Sequence, residues 1–270
     1  MNDILVSTVV PVYNASSTIV TCIDSIVHEL EQVDFSWELI LVNDGSTDDS
    51  LKLMESYRKH SPYKSNIHVF SQVNSGVSSA RNLGMAKAKG AYIAFNDSDD
   101  EWIPGRMITM ISFLRNDPAI MLLAGIYWPV RFGSYGDFDI KEISVNRQIF
   151  RNHFYPPTVI FKRSLLFKYG YFDEFMTHAE DMFYFSSICA REKSCLCNVQ
   201  AARSILNKLS YGQSGLSANL WKMEKGELKC ISNLYKRKDI TLFFFIFAYF
   251  FSLLKYMIRF VIVGYRSLIS

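Results

Sequence analysis

Two stretches of the sequence decide the fold: residues 38–48 read ELILVNDGSTD, and residues 91–100 read AYIAFNDSDD. Each begins with an apolar, β-rich run that predicts a buried strand and ends in a turn rich in Asn and Asp. Working outward, the pattern predicts strands at 4–10, 38–42, 67–71 and 91–95, alternating with helices at 16–33, 48–60 and 78–87. This alternation predicts an α/β fold with a mostly parallel sheet, and such sheets bind ligands at the carboxyl ends of their strands.

The alternation weakens beyond about residue 105. Helices are predicted there at 107–115, 163–167 and 182–191, strands at 120–128 and 159–161, and a polar loop at 131–147. We expect a domain of residues 1–218, with halves 1–104 and 105–218, followed by a tail of residues 219–270.

The composition limits the class of protein. Of the 270 residues, 49% are hydrophobic and 20% are charged, which excludes a disordered or low-complexity chain. The five cysteines are odd in number and irregularly spaced. They favour reduced thiols in the cytosol over disulfides or a zinc site. The chain does not begin with a basic segment followed by an apolar run, so we expect no signal peptide.

Common nucleotide-binding motifs are missing from the sequence. The first glycine is Gly45, so the turn after the first strand cannot hold the glycine-rich motif of dinucleotide dehydrogenases. The chain also lacks a P-loop and a His-Glu-x-x-His zinc motif. We expect no nucleic acid among its partners.

The turn after the fourth predicted strand carries three carboxylates, Asp97, Asp99 and Asp100, within four residues. Such a cluster is costly unless water or a cation neutralises it, and oxygen ligands suit Mg²⁺ or Mn²⁺. The alternative is that these residues cap a following helix.

Two other acidic positions have two interpretations each. Asp44 follows the second predicted strand, where it could bind the N–H of a flat base or form an Asx-turn and helix cap. Glu180 and Asp181 precede a predicted helix, where carboxylates are favoured by the helix dipole but could also act as a general base.

Six blocks of the sequence, in order, resemble the family-2 glycosyltransferases. They are residues 6–14 (VSTVVPVYN), 42–48 (VNDGSTD), 76–84 (GVSSARNLG), 96–102 (NDSDDEW), 170–174 (GYFDE) and 180–181 (ED). The resemblance implies a GT-A type nucleotide-diphospho-sugar transferase fold, a nucleotide-sugar donor and an inverting mechanism. Residues 1–104 would then be the nucleotide-sugar-binding half of the catalytic domain, and 105–218 the acceptor half.

The resemblance also implies roles for individual residues. Asp44 would bind the base, uracil in a UDP-sugar, and Asp181 would be the catalytic base with Glu180 beside it. Asp99, with Asp97, would hold the Mn²⁺ or Mg²⁺ that bridges the diphosphate. The other donor-binding residues would be Pro11, Val12, Tyr13, Asn14, Arg81, Asn82, Asp97 and Ser98. Asn43 and Asn96 depart from the commonest family pattern, but neither removes a catalytic group.

The reaction expected from this resemblance is transfer of a hexose or N-acetylhexosamine to a glycan hydroxyl. A divalent ion would neutralise the leaving diphosphate, and one carboxylate would deprotonate the acceptor. Relatives suggest a lipid-diphosphate-linked acceptor in synthesis of a cell-surface polysaccharide such as lipopolysaccharide or capsule. The alternatives are a sugar-nucleotide nucleotidyltransferase and a non-catalytic nucleotide-sugar-binding relative.

The tail combines aromatic bulk with positive charge. From residue 221 to the end it holds nine Lys or Arg against three Asp or Glu, and residues 242–254 are apolar. At 100° per residue, Lys255, Arg259 and Arg266 form one cationic stripe on a helix. This pattern predicts a helix in the interface of an anionic membrane, peripheral on the inner face of the cell membrane; the alternative is a helix packed into the core.

Overall fold

The computed structural model describes residues 5–129, 139–206 and 219–269, with side chains as far as Val263. The strands in these residues are β1 (Val6–Val12), β2 (Trp37–Asp44), β3 (Ile67–Gln72), β4 (Tyr92–Phe95), β5 (Asp100–Trp102), β6 (Leu122–Trp128), β7 (Ile140–Glu142), β8 (Val159–Lys162) and β9 (Ser194–Ser204). They form one sheet in the order β3-β2-β1-β4-β8-β6-β9-β5, and β7 pairs with β9.

Helices flank this sheet on both faces. The helices are α1 (Ile19–Leu30), α2 (Ser50–His60), α3 (Val77–Lys87), α4 (Arg106–Asn116), α5 (Val145–Phe150), α6 (Leu165–Tyr169), α7 (Glu180–Cys189), α8 (Leu220–Lys236) and α9 (Leu242–Ile269). The apolar face predicted for the first helix is buried throughout, at Ile19, Cys22, Ile23, Ile26, Val27 and Leu30.

The first half of the sheet has the predicted parallel arrangement. β1 is parallel to both β2 and β4, and β2 is parallel to β3. Their carboxyl ends therefore lie at one edge of the sheet, where the turns after β1, β2 and β4 come together. Close packing of α3 helps to build this edge, because a Cβ at Gly84 would lie 2.2 Å from Val9 Cγ1. Only glycine allows α3 to approach β1 this closely.

The second half of the sheet is mixed, so the prediction of a mostly parallel sheet holds only for the first half. β8 is antiparallel to β4 and β6, while β9 is parallel to β6 and antiparallel to β5 and β7. β9 is not predicted from the sequence, because its Cys, Asn, Gln and Arg residues give no regular apolar alternation. Of the polar loop predicted at 131–147, residues 131–138 lie outside the described residues, and the remainder includes β7 and the start of α5.

The tail forms a hairpin of two helices rather than a lone amphipathic segment. α8 packs against α7, and α9 packs against α8 and α5. Lys255 and Arg259 of α9 pair with Glu227 of α8 at 2.9 and 2.6 Å. The expectation that these two cations face lipid is therefore wrong, because both point toward α8 and share the carboxylate of Glu227. The Arg266 side chain lies outside the described side chains.

Candidate active site

The turn after β1 is tied to the turn after β2 by Asn14. Its side-chain oxygen accepts hydrogen bonds from the Thr47 backbone N–H at 2.8 Å and from the Thr47 hydroxyl at 3.3 Å. Asn14 has a φ of 48°, a left-handed conformation that Asn tolerates better than most residues. Among the other predicted donor-binding residues here, Pro11 and Val12 are buried in β1 and Tyr13 is exposed at the edge.

Asp44 holds the loop that follows β3. Its carboxylate is 3% exposed and accepts hydrogen bonds from Gln72 Nε2, Ser75 N and Gly76 N at 2.8 to 2.9 Å. Asp44 makes no Asx-turn among the described contacts; the local bond in this turn is made by Asn43, whose Oδ1 accepts from Ser46 N, three residues on, at 3.0 Å. Asp44 is thus a fixed, buried acceptor at the edge of the sheet. No local sequence pattern indicates Gln72 as its partner.

The acidic turn after β4 does not cap a helix, because α4 begins only at Arg106 and its first N–H groups bind Glu29. Asp100 begins β5 and accepts a hydrogen bond from the Tyr127 hydroxyl at 2.5 Å. Asp97, Ser98 and Asp99 are half-buried at the edge. The turn therefore keeps Asp97 and Asp99 near the surface while Asp100 faces inward.

Arg81 connects the acidic turn to the second half of the protein. Its guanidinium donates to Asp97 Oδ1 at 2.7 Å and to Glu180 Oε1 at 3.3 Å, although Arg81 is only 4% exposed. Burial alone would lower the pKa of Arg81, but the charges of Asp97 and Glu180 raise it above its ordinary value. The permanently charged Arg81 therefore holds two carboxylates together that are far apart in sequence.

Glu180 and Asp181 form the first turn of α7, directly after Ala179 in a left-handed conformation with φ 58°. Asp181 Oδ1 accepts a hydrogen bond from Met182 N at 2.7 Å. Burial, followed by the negative charge of Glu180, raises the pKa of Asp181 to about 7. A carboxylate with a pKa near neutrality is suited to accept a proton.

The loop before α7 is held from two sides. Asn82 donates to Phe172 O and Glu174 Oε1 and accepts from Phe172 N, at 2.8 to 3.0 Å, so its side chain binds protein on this loop. On the other side, a Cβ at Gly226 of α8 would lie 2.5 Å from His178 O. α8 thus packs directly on the segment that presents Glu180 and Asp181, a contact that no local sequence pattern indicated.

The acidic turn fits a divalent cation that is shared with a substrate. The described residues contain no group of three His, Cys, Asp or Glu side chains that could enclose an ion by themselves. Asp97 and Asp99 offer carboxylate oxygens of the kind that Mg²⁺ and Mn²⁺ prefer. Further positions on the ion would be left for water and for the oxygens of a diphosphate.

Comparison with known proteins places the chain in one family. The sequence model of glycosyl transferase family 2 matches residues 7–171, more than half of the chain. The chain is 30% identical over 226 residues to WfgD of Escherichia coli, named as a UDP-Glc:alpha-D-GlcNAc-diphosphoundecaprenol beta-1,3-glucosyltransferase. That match covers 82% of this chain and 83% of WfgD. Three uncharacterised glycosyltransferases are 34% to 47% identical over shorter stretches, and the chain spans only 16% to 35% of their lengths.

Solved structures share the fold. Staphylococcus aureus TarS 1-349 in complex with UDP-GlcNAc has a TM-score of 0.65 at 20% identity, over 86% of this chain and 66% of that one. The Pyrobaculum calidifontis mannosyltransferase PcManGT, in complex with GDP-Man and Mn²⁺, has a TM-score of 0.66 at 17% identity, over 86% and 64%. The predicted GT-A fold is confirmed.

Proposed function

The chain belongs to glycosyl transferase family 2, and from this membership we propose that it is a metal-dependent, inverting transferase with a UDP-sugar donor. It moves a hexose or N-acetylhexosamine to a hydroxyl of a lipid-diphosphate-linked glycan in cell-surface polysaccharide synthesis. The UDP-GlcNAc bound to TarS supports the donor class, and the name of WfgD supports the acceptor class. The observation that carries the proposal is Arg81, which joins Asp97 of the acidic turn to Glu180, the neighbour of Asp181.

Each part of the site has a role in this reaction. Asp44 accepts a hydrogen bond from the base, and the edge from Pro11 to Asn14 borders the nucleotide, with Asp97 and Ser98 nearer the ribose or sugar. Asp99 and Asp97 would hold the Mn²⁺ or Mg²⁺, which would supply charge neutralisation for the leaving diphosphate. Asp181 takes the proton of the acceptor hydroxyl, while Arg81 holds Glu180 in place beside it.

A donor screen tests the proposed function. The full chain is incubated with Mn²⁺, a panel of UDP-, GDP- and CDP-sugars and glycan acceptors, and release of the nucleoside diphosphate is measured. We expect UDP release that depends on the acceptor. Formation of a sugar nucleotide from a sugar phosphate and a nucleoside triphosphate would instead identify a nucleotidyltransferase.

Replacement of Asp44 by Ala is expected to weaken UDP binding by about 1–3 kcal/mol, because a hydrogen bond to a charged acceptor is lost. The same carboxylate favours uracil, whose N3 carries a hydrogen, over cytosine, whose N3 does not. Calorimetric titration with UDP and CDP measures both effects. Asp49→Asn, an exposed change just before α2, serves as the matched control. Equal affinity of the parent protein for UDP and CDP would refute the role of Asp44.

We also propose that α9 docks on the inner face of the cell membrane through its apolar side. Residues Leu242–Val263 are long and apolar enough to cross a membrane by length and composition. The exposed large side chains of α9 lie mainly on the side away from the Glu227 ion pairs, and they include Phe243, Phe247, Phe250, Leu254, Ile258 and Val261. Since Lys255 and Arg259 are paired inside the protein, this docking depends on apolar burial more than on charge.

We expect the parent protein to bind neutral phosphatidylcholine vesicles and to stay bound in high salt. The double replacement Phe243→Asp and Phe250→Asp should weaken this binding at least about a hundredfold, because each buried Phe contributes about 1.5–3 kcal/mol. Phe167→Asp on α6, at a position 88% exposed, is the control that should bind normally. A different outcome would be that the parent protein does not bind vesicles and forms a dimer that the double variant does not form. That outcome would show that this side of α9 pairs with a second copy.

A further inference from the structure

The outward face of α8 carries a row of lysines. At 100° per residue, Lys222, Lys225, Lys229 and Lys236 fall within about 60° of one another. All four are exposed, and in the described part of the chain none of them forms an ion pair. Both acidic residues of α8 point the opposite way and are buried. The charges of α8 therefore lie on opposite sides: the two acidic side chains face α9, and the lysines face outward.

Lys229, in the middle of this row, lies against the catalytic loop, the segment of residues 170–179 that precedes α7. Lys229 Nζ donates to the carbonyl oxygen of Phe175 at 3.3 Å, five residues before Glu180. The acidic side chains of this loop have other partners: Asp173 accepts from Phe175 N, and Glu174 accepts from Asn82. Positive charge on Lys229 therefore lies beside the loop that presents the proposed base, without a carboxylate to neutralise it in the described residues.

Near the start of α8 the row meets α9, the proposed membrane-docking helix. Lys225 lies over the ring of Trp221, with Nζ 5.2 Å from the ring centroid. Trp221 is itself 5.6 Å from Tyr256 of α9, centroid to centroid. Exposed Trp beside Lys is typical of the boundary between acyl chains and water. The lysines thus run from the edge of the proposed lipid-facing helix to the catalytic loop.

We propose that Lys225 and Lys229 bind the diphosphate of the lipid-linked acceptor. This assignment rests on the proposed function, in which a sugar at Asp181 is joined through a diphosphate to a lipid chain beside α9. Lys225 and Lys229 are one helical turn apart, about 6 Å along the axis, so both ammonium groups can reach one diphosphate. Lysine is a common ligand of phosphate groups, and two lysines together favour a diphosphate over a singly charged headgroup.

The test uses the full-length protein and two kinds of phosphatidylcholine vesicle, doped with polyprenyl diphosphate or with phosphatidylglycerol at matched surface charge. Contact through α9 is common to both kinds and cancels in the comparison. We expect the parent protein to bind the diphosphate vesicles about tenfold more tightly. The double variant Lys225→Gln and Lys229→Gln should lose this preference. Lys52→Gln with Lys59→Gln on α2, an equal loss of exposed charge, should keep it.

Two results would overturn the assignment: a double variant that keeps the preference, or a parent protein that has none and binds both vesicles equally. In the second case the lysines meet ordinary phospholipid headgroups. Calorimetric UDP binding by the double variant, expected to be unchanged, checks that it is folded. Turnover with a soluble glycoside acceptor tests the proposed glycosyl transfer separately, so that failure of one proposal is distinguished from failure of the other.

Discussion

Asp181→Asn is expected to lower the rate of sugar transfer by a factor of about 10²–10⁴ and to leave UDP binding unchanged. An amide cannot accept the proton of the acceptor hydroxyl, and loss of a positioned general base has effects of this size. Asp181 is suited to the role because Glu180 is already paired with Arg81, whereas the carboxylate of Asp181 binds only Met182 N among the described residues. Turnover and calorimetric UDP binding, measured side by side, separate loss of chemistry from loss of the donor site.

The matched control for this variant is Glu174→Gln, a carboxylate-to-amide change in the same loop. Glu174 accepts a hydrogen bond from Asn82, and the oxygen of a glutamine amide can accept the same bond. We expect nearly parental turnover from this control. If Glu180→Gln abolished transfer while Asp181→Asn turned over normally, Glu180 would be the base.

The pH dependence of transfer follows from the environment of Asp181. Because burial and the charge of Glu180 raise its pKa to about 7, the carboxylate is protonated and inactive as a base below that pH. The rate of the parent protein should therefore fall as the pH is lowered through about 7, and it should level off above. In Asp181→Asn the residual rate should lack this acidic limb. A parent profile that stays flat down to pH about 5 would contradict the assignment.

Asp99→Asn is expected to reduce turnover by at least about a hundredfold, because several kcal/mol of charge neutralisation at the leaving diphosphate depend on the bound ion. Mn²⁺ affinity, followed by electron paramagnetic resonance in the presence of UDP, should fall together with turnover. The control is Glu101→Gln, two residues further along the chain. Glu101 pairs with Arg203, so its replacement should leave turnover and Mn²⁺ affinity intact. Full turnover of the parent protein in EDTA, with no metal bound, would refute the metal requirement.

The local pattern of the sequence was sufficient for the first half of the fold. β1, β2, β3 and β4 are each a short run with a clear end, and the first of the three helices between them has regular apolar spacing. Parallel strands connected by helices bring their carboxyl ends to one edge, so the positions of Asp44 and Asp97 followed from topology alone. The ordered blocks added the family, which the comparisons confirmed over residues 7–171.

The second half could not be derived in this way, because its partners are distant in sequence. β9 lies between β6 and β5 and is stabilised by both neighbours, although its own residues alternate poorly. Propensity is a weak predictor where tertiary contacts decide the conformation. For the same reason the helix-cap interpretation of the acidic turn was wrong: β5 pairs with β9 and draws Asp100 into the sheet.

Local periodicity in the sequence was thus enough for the strands of the first half, the turns at their ends and the residues available for chemistry. Only the tertiary structure decided which charges meet. Arg81 joins Asp97 and Glu180 across 16 and 99 residues, and Glu227 takes Lys255 and Arg259 from across 28 and 32. A charge pattern fixes what a side chain can bind, but the free energy of an ion pair depends on distance and burial. Both are set by packing between segments that are remote in the chain.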